Sequence, residues 1–111
     1  MLAFQDLEAM DLHKLLGSGD ADILVVDVRT PAEVARGGIR GARSIPLHLL
    51  PLNTGALDKE RPVVFYCQSG GRSSQACAYL HQQGYDKLYN LRGGIMAWVR
   101  NGLPLEVPTQ L

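Results

Sequence analysis

The sequence predicts an α/β protein built on a mostly parallel sheet, and three observations carry that expectation. Ile23-Leu24-Val25-Val26 and Pro62-Val63-Val64-Phe65-Tyr66 are continuous aliphatic and aromatic runs, as strands buried on both faces require. Between such runs lie segments whose apolar residues recur at helical spacing. Glycine and proline punctuate nearly every change of element. Strands that alternate with helices send each connection across a face of the sheet, which makes neighbouring strands parallel.

The elements follow in order. Phe4-Gln5-Asp6-Leu7 alternates apolar and polar positions and suits a short edge strand. After Asp11, the spacing of Leu12, Leu15 and Leu16 fits a short amphipathic helix that Gly17 and Gly19 close. The Ile23–Val26 strand stops at Asp27-Val28-Arg29, where polar side chains emerge at its carboxyl end. Thr30-Pro31-Ala32-Glu33 reads as a capping box, with threonine as N-cap, proline at the first helical position and glutamate three residues on. A short helix over 32–36 ends at Gly37-Gly38. Ser44-Ile45 is a short strand cut off by Pro46, and 47–57 is a helical turn and loop. The Pro62–Tyr66 strand tolerates its proline at the first position. It runs into a loop over 67–72 and a helix from Ser73 that carries Ala76, Cys77 and Leu80 on one face and ends at Gly84. Lys87–Leu91 is a further strand, Arg92-Gly93-Gly94 a turn, and Ile95, Trp98 and Val99 mark a last helix closed by Gly102 and Pro104.

Composition narrows the function classes. At 111 residues and 46% hydrophobic, the chain suits one domain, 1–111, able to bury a core without metal or disulfide staples. Eleven basic residues balance eleven acidic ones, which argues against a nucleic-acid binder. No apolar run approaches the length of a membrane span, and Met1–Asp6 has no basic leader, so neither a membrane partner nor a secretory signal is expected and the cytoplasm is the expected location. The balance is uneven along the chain: residues 1–33 hold two basic and seven acidic groups, and the remainder nine and four. These charges either solvate the surface or let loops of the second part present a local positive field to a small anion.

Two cysteines do not make a disulfide framework. Cys77 shares an apolar helix face with Ala76 and Leu80 and reads as packing. Cys67 sits where a buried strand gives way to Gln68-Ser69-Gly70-Gly71-Arg72-Ser73 and a helix. In open α/β sheets ligands bind outside the carboxyl ends of the strands. Two glycines let this loop curl with its N–H groups inward, and the helix start adds donors and partial positive charge. Thiols in such settings fall from a pKa of about 8.5 to roughly 3.5–7.5. The Cys67 thiolate is therefore a nucleophile at neutral pH, and the same cradle suits a persulfide anion, whose charge lies one atom further out. Arg72 and the hydroxyls of Ser69 and Ser73 are placed to hold the oxyanion part of a donor.

On these residues the chain resembles a single rhodanese domain over almost its whole length. Asp27-Val28-Arg29, Pro31, Glu33 and Gly37 through Pro46 are similar to the family's first block; Tyr66 through Ser73 resembles its active-site loop; Leu91-Arg92-Gly93-Gly94, Trp98 and Gly102-Leu103-Pro104 resemble its last block. The resemblance implies a three-layer fold, with a central, mostly parallel five-stranded sheet flanked by helices. It also implies a thiosulfate sulfurtransferase that passes sulfane sulfur through a Cys67 persulfide to a thiol or to cyanide. Carried over by position, Cys67 is the nucleophile, the amides of Gln68, Ser69, Gly70, Gly71 and Arg72 form the cradle, and Arg72 partners the donor's sulfonate. No metal or organic cofactor is implied. A persulfidated or sulfur-relay protein, glutathione persulfide, thioredoxin or a dithiol remain open as cellular partners. One departure stands out. The family often has Gly-His-Ile where this chain has Gly37-Gly38-Ile39, which implies altered local packing and not lost activity.

Two competing readings exist. The fold also resembles that of cell-cycle dual-specificity phosphatases, whose loop has five residues between cysteine and arginine; the four here make a narrower ring of amides, better matched to a sulfur atom than to phosphate or arsenate. Rhodanese-like domains also serve as non-enzymatic sulfur carriers or regulatory modules, though degenerate ones usually lose the cysteine that this chain keeps. Among smaller signals, His13, His48 and His81 are too scattered for a metal site. Asp27, Arg29 and Glu33 read as an internal ion-pair network, Trp98 as a core anchor, and Arg36, Arg40, Arg43 and Arg92 as residues that rim a pocket mouth.

Overall fold

Alternation along the central strands sorts the core into two layers. In the computed structural model, which describes residues 3–19 and 22–108, β4 (Val63–Tyr66) sends Val63, Phe65 and then Cys67 to one face and Val64 and Tyr66 to the other. β2 (Leu24–Asp27) does the same, with Leu24 and Val26 on the first face and Val25 on the second. Both strands are buried at every position, which is why their sequences lack the polar alternation of a half-exposed strand.

Three further strands complete the sheet: β1 (Gln5–Leu7), β3 (Arg43–Ser44) and β5 (Leu88–Leu91). Their order is β1-β5-β4-β2-β3, and every pair is parallel. The expected edge strand is thus at the edge, and "mostly parallel" becomes fully parallel within the sheet. Against the first face pack α3 (Leu50–Asn53), flanked by single 3₁₀ turns at Leu47–Leu49 and Thr54–Ala56, and α4 (Gly71–Gln82), which contributes Ala76, Cys77 and Leu80. The second face is covered by α1 (Ala9–Gly17) and α5 (Gly94–Arg100) through Leu12, Ile95 and Trp98. The Trp98 indole donates to the Pro104 carbonyl at 2.8 Å, so the core anchor also pins the segment after α5.

α2 (Pro31–Ala35) starts as its sequence predicts. The Thr30 hydroxyl accepts the Glu33 N–H at 3.3 Å, and the Glu33 carboxylate accepts the Thr30 N–H at 3.1 Å. α4, in contrast, begins at Gly71, two residues before the expected Ser73. Gly70 is its N-cap at φ 115°, a left-handed conformation that only glycine adopts cheaply and that turns the chain into the helix early. Among the described residues no helix is long and apolar enough to cross a membrane.

The topology places one crevice. From β2 the chain crosses outward to β3, whereas from β4 it crosses the other way to β5. Connections that leave adjacent parallel strands in opposite directions open a gap outside their carboxyl ends. The segment after Asp27 and the loop after Tyr66 both lie at that gap.

Candidate active site

Cys67 directly follows β4, and its Sγ is enclosed by the loop it begins. It accepts the Gly70 N–H at 3.1 Å and the Ser73 N–H at 3.4 Å, and it lies 3.4 Å from the Ser73 hydroxyl. The residue is 1% exposed, so the sulfur sits beneath the loop, not at an open mouth. Burial alone would raise its pKa. The Ser73 hydroxyl and the N–H groups of Ser73, Gly70 and Ser69 outweigh that penalty and hold the thiol below its ordinary value. Cys77 has burial without such donors; its thiol is pushed up to about 12, in keeping with a packing role.

The loop is clamped from the opposite side. The carbonyls of Cys67 and Gln68 accept the N–H groups of Ile95 and Met96 at 2.9 and 3.2 Å, supplying partners that the first turn of α5 would otherwise lack. This approach is close enough to dictate a residue type. A Cβ on Gly94 would lie 2.5 Å from both carbonyl oxygens.

Ser73 is fully buried and faces the sulfur and the sheet. Its hydroxyl also meets the Gly70 carbonyl at 3.2 Å and forms a short hydrogen bond to Asn90 Oδ1, while Asn90 Nδ2 donates to Asp6 at 3.3 Å. Ser73 therefore links the sulfur to Asn90 on β5. Nothing local in the sequence points to Asn90; only the β4–β5 pairing brings it there.

Arg72, at the start of α4, is paired with Glu33. Its Nη1 and Nη2 donate to the two Glu33 oxygens at 2.7 and 2.8 Å, a fork-to-fork pair between residues 39 positions apart that lowers the Glu33 carboxyl to about 2. The expected network of Asp27, Arg29 and Glu33 accordingly splits in two. Asp27 and Arg29 form one buried pair at 2.8 Å, and Arg29 also donates to the Gly37 carbonyl at 2.8 Å. Glu33 belongs to Arg72.

Gly38 stands in the first block without the imidazole often found there. A Cβ on it would lie 2.8 Å from the Tyr66 hydroxyl. That hydroxyl accepts the Ile39 N–H at 3.1 Å, and the Arg29 guanidinium lies 5.5 Å from the ring centroid. Tyr66 thus occupies the space beside Gly38 and holds the backbone at Ile39.

A cavity of about 350 Å³ opens beside the loop, with Gln68, Glu33, Arg36, Met96, Val99 and Arg100 among its lining. Of the four expected rim arginines only Arg36 lines it. Arg40 pairs with Glu106, Arg92 with Glu8, and Arg43 donates to the Ala56 carbonyl.

The family described as rhodanese-like domain matches residues 8–101. The chain belongs to the rhodanese family. It is 58% identical over 87 residues to a protein of Allochromatium vinosum named sulfurtransferase, covering 78% of this chain and 81% of that one. It is 34% identical over 107 residues to the thiosulfate sulfurtransferase GlpE of Stutzerimonas stutzeri, covering 96% and 94%. Among solved structures, a rhodanese-like domain protein from Staphylococcus aureus superposes with a TM-score of 0.85 at 31% identity, over 96% of this chain and all of that one.

Proposed function

We propose that this rhodanese moves sulfane sulfur from thiosulfate, or from a persulfide donor, to a thiol or to cyanide through a persulfide on Cys67. The observation that supports this reading most is the sulfur's setting: a buried thiol whose pKa is lowered by backbone N–H groups and a serine hydroxyl. Buried structural cysteines show the opposite shift, as Cys77 does.

In the first half-reaction the Cys67 thiolate attacks the outer sulfur of thiosulfate. An Sγ–S bond forms, the donor's S–S bond breaks, and its electron pair leaves on sulfite. The negative charge then rests on the outer sulfur of the persulfide. The first N–H groups of α4, at Gly71 and Arg72, have no intrahelical acceptor and are the donors within the loop for that charge. In the second half-reaction an acceptor thiolate or cyanide attacks the outer sulfur, and the electron pair of the broken bond returns to Cys67. No proton transfer to the sulfur is required in either step. Covalent catalysis of this kind divides one hard transfer into two easier ones.

Arg72 is the cation proposed to meet the donor's sulfonate, sharing its guanidinium with Glu33. The reading places the protein in the cytoplasm, where an exchange-active thiol is kept reduced. Its cellular partners would be a sulfur-relay protein, thioredoxin or a small thiol. Thiosulfate-to-cyanide turnover tests the assignment. Cys67→Ser reduces it to the uncatalysed background, whereas Cys77→Ser retains it. Equal turnover in the Cys67 variant would overturn the assignment.

A further inference from the structure

The cavity beside the loop is larger and more apolar than a five-atom anion can use. Its volume of about 350 Å³ falls within the range of small-molecule sites, about 300–1,000 Å³. Met96, Val99 and Leu105 line it while remaining 45%, 50% and 43% exposed, so three of the protein's exposed large hydrophobic residues converge on one opening. Others, such as Met10 and Leu52, are not among its lining. Exposed apolar side chains gathered around a concavity mark a surface that a partner covers.

Charge at the opening sets the partner's sign. Arg36, at the end of α2, and Arg100, at the end of α5, both line the cavity, and neither has a carboxylate partner among the described residues. The other surface arginines nearby are neutralised: Arg72 by Glu33 and Arg40 by Glu106. Methionine and arginine around an apolar centre are also the composition of protein interfaces, where arginine supplies orientation and methionine adapts to the occupant.

We propose that this opening docks the sulfur acceptor, a protein cysteine whose neighbouring residues carry an apolar side chain and a carboxylate. The inference rests on the sulfur-transfer reading and names the partner class for its second half-reaction. A free anion would leave Met96, Val99 and Leu105 uncovered, and a small hydrophilic thiol such as glutathione would satisfy the arginines only. A peptide segment satisfies both walls, and Gln68, which follows Cys67 in the chain, lines the opening. The bond changes are those already given: the acceptor gains the outer sulfur, and Cys67 regains its electron pair.

The test uses the full chain loaded with thiosulfate, with loading read by mass before acceptor is added. Four acceptors are compared: acetyl-Leu-Cys-Leu-Glu-Glu-amide, its Lys-Lys counterpart, acetyl-Ser-Cys-Ser-Glu-Glu-amide and glutathione. The acidic apolar peptide is expected to discharge the persulfide with a kcat/KM about tenfold above each of the others, a lead that shrinks as salt rises from about 0.05 to 0.5 M. Arg36→Ser with Arg100→Ser removes the preference for acidic over basic peptide, and Val99→Asp removes the preference for apolar over polar. Failure to load would count against the sulfur-transfer reading itself. Loading followed by equal discharge to all four acceptors, or an acidic preference that survives in the double variant, would overturn the docking site.

Discussion

At the scale of single residues, the reactivity of Cys67 is set by the groups that face its sulfur. Ser73 meets the thiol with its N–H and with a hydroxyl shared between the sulfur, the Gly70 carbonyl and Asn90 Oδ1, and both groups hold the thiol's pKa down. The rate of persulfide formation should rise with pH as the thiol ionises and level off below the ordinary cysteine value of about 8.5. Ser73→Ala moves that inflection upward and slows loading at neutral pH; stopped-flow loading as a function of pH reads both. Glu33→Gln probes Arg72. Glutamine keeps the capping box but releases the guanidinium, so the KM for thiosulfate falls about two- to fivefold, the range of a partly exposed ion pair. The same substitution has a signature in stability. Because the folded-state pKa of Glu33, about 2, lies below its ordinary 4.5, the stabilisation is complete above 4.5 and is lost as pH falls toward 2. The difference in urea midpoint between wild type and Glu33→Gln is therefore present at pH 6 and gone near pH 2. Of these residues Cys67 is legible from its place between a buried strand and a glycine pair. The Glu33–Arg72 pair is not, because both partners look locally complete, one as a capping residue and one as a loop cation. Tyr66 and Gly38 likewise show their fit only when the strand and the first block are folded together.

At the scale of elements, the loop is held by its neighbours more than by itself. α5 donates two N–H groups to its carbonyls, and Gly94 permits that approach. Gly94→Ala forces a Cβ against two backbone oxygens at a left-handed φ of 60°, at a cost of at least about 2 kcal/mol. Denaturation should show that loss, and persulfide loading should fall with it, since the clamp and the cradle are one structure. The Asp27–Arg29 pair is a second clamp, tying the end of β2 to the Gly37 carbonyl. Asp27→Asn strands a buried guanidinium and is expected to cost about 3–5 kcal/mol in equilibrium unfolding. Most strands and helices are legible to within about a residue or two because continuous runs and capping residues announce them. α1 is further off, since it begins at Ala9, ahead of the Asp11 from which its leucine spacing is counted. The start of α4 is instructive for another reason. Ser73 resembles the beginning of a helix by composition, but Gly70 turns the chain at φ 115° and the helix begins at Gly71, which is what brings the Ser73 N–H onto the sulfur.

At the scale of the whole molecule, two core layers on a parallel sheet fix a switch point between β2 and β4, and Cys67 stands there. The fold class is readable because burial on both faces removes polar alternation from the central strands. The cavity is not readable, since its walls come from α2, α5, the Cys67 loop and Leu105, and Arg100 carries no local mark of its position. The formal net charge of zero fits the proposed mechanism, in which a small anion would need only loop amides and one shared arginine and no broad basic face. The most direct test of the central claim is a mass spectrum of the intact protein and its peptides after treatment with thiosulfate and removal of excess donor. The account predicts a gain of one sulfur atom, about 32 Da, on the peptide that contains Cys67, discharged by cyanide. No gain, or a gain confined to the peptide of Cys77, would contradict it.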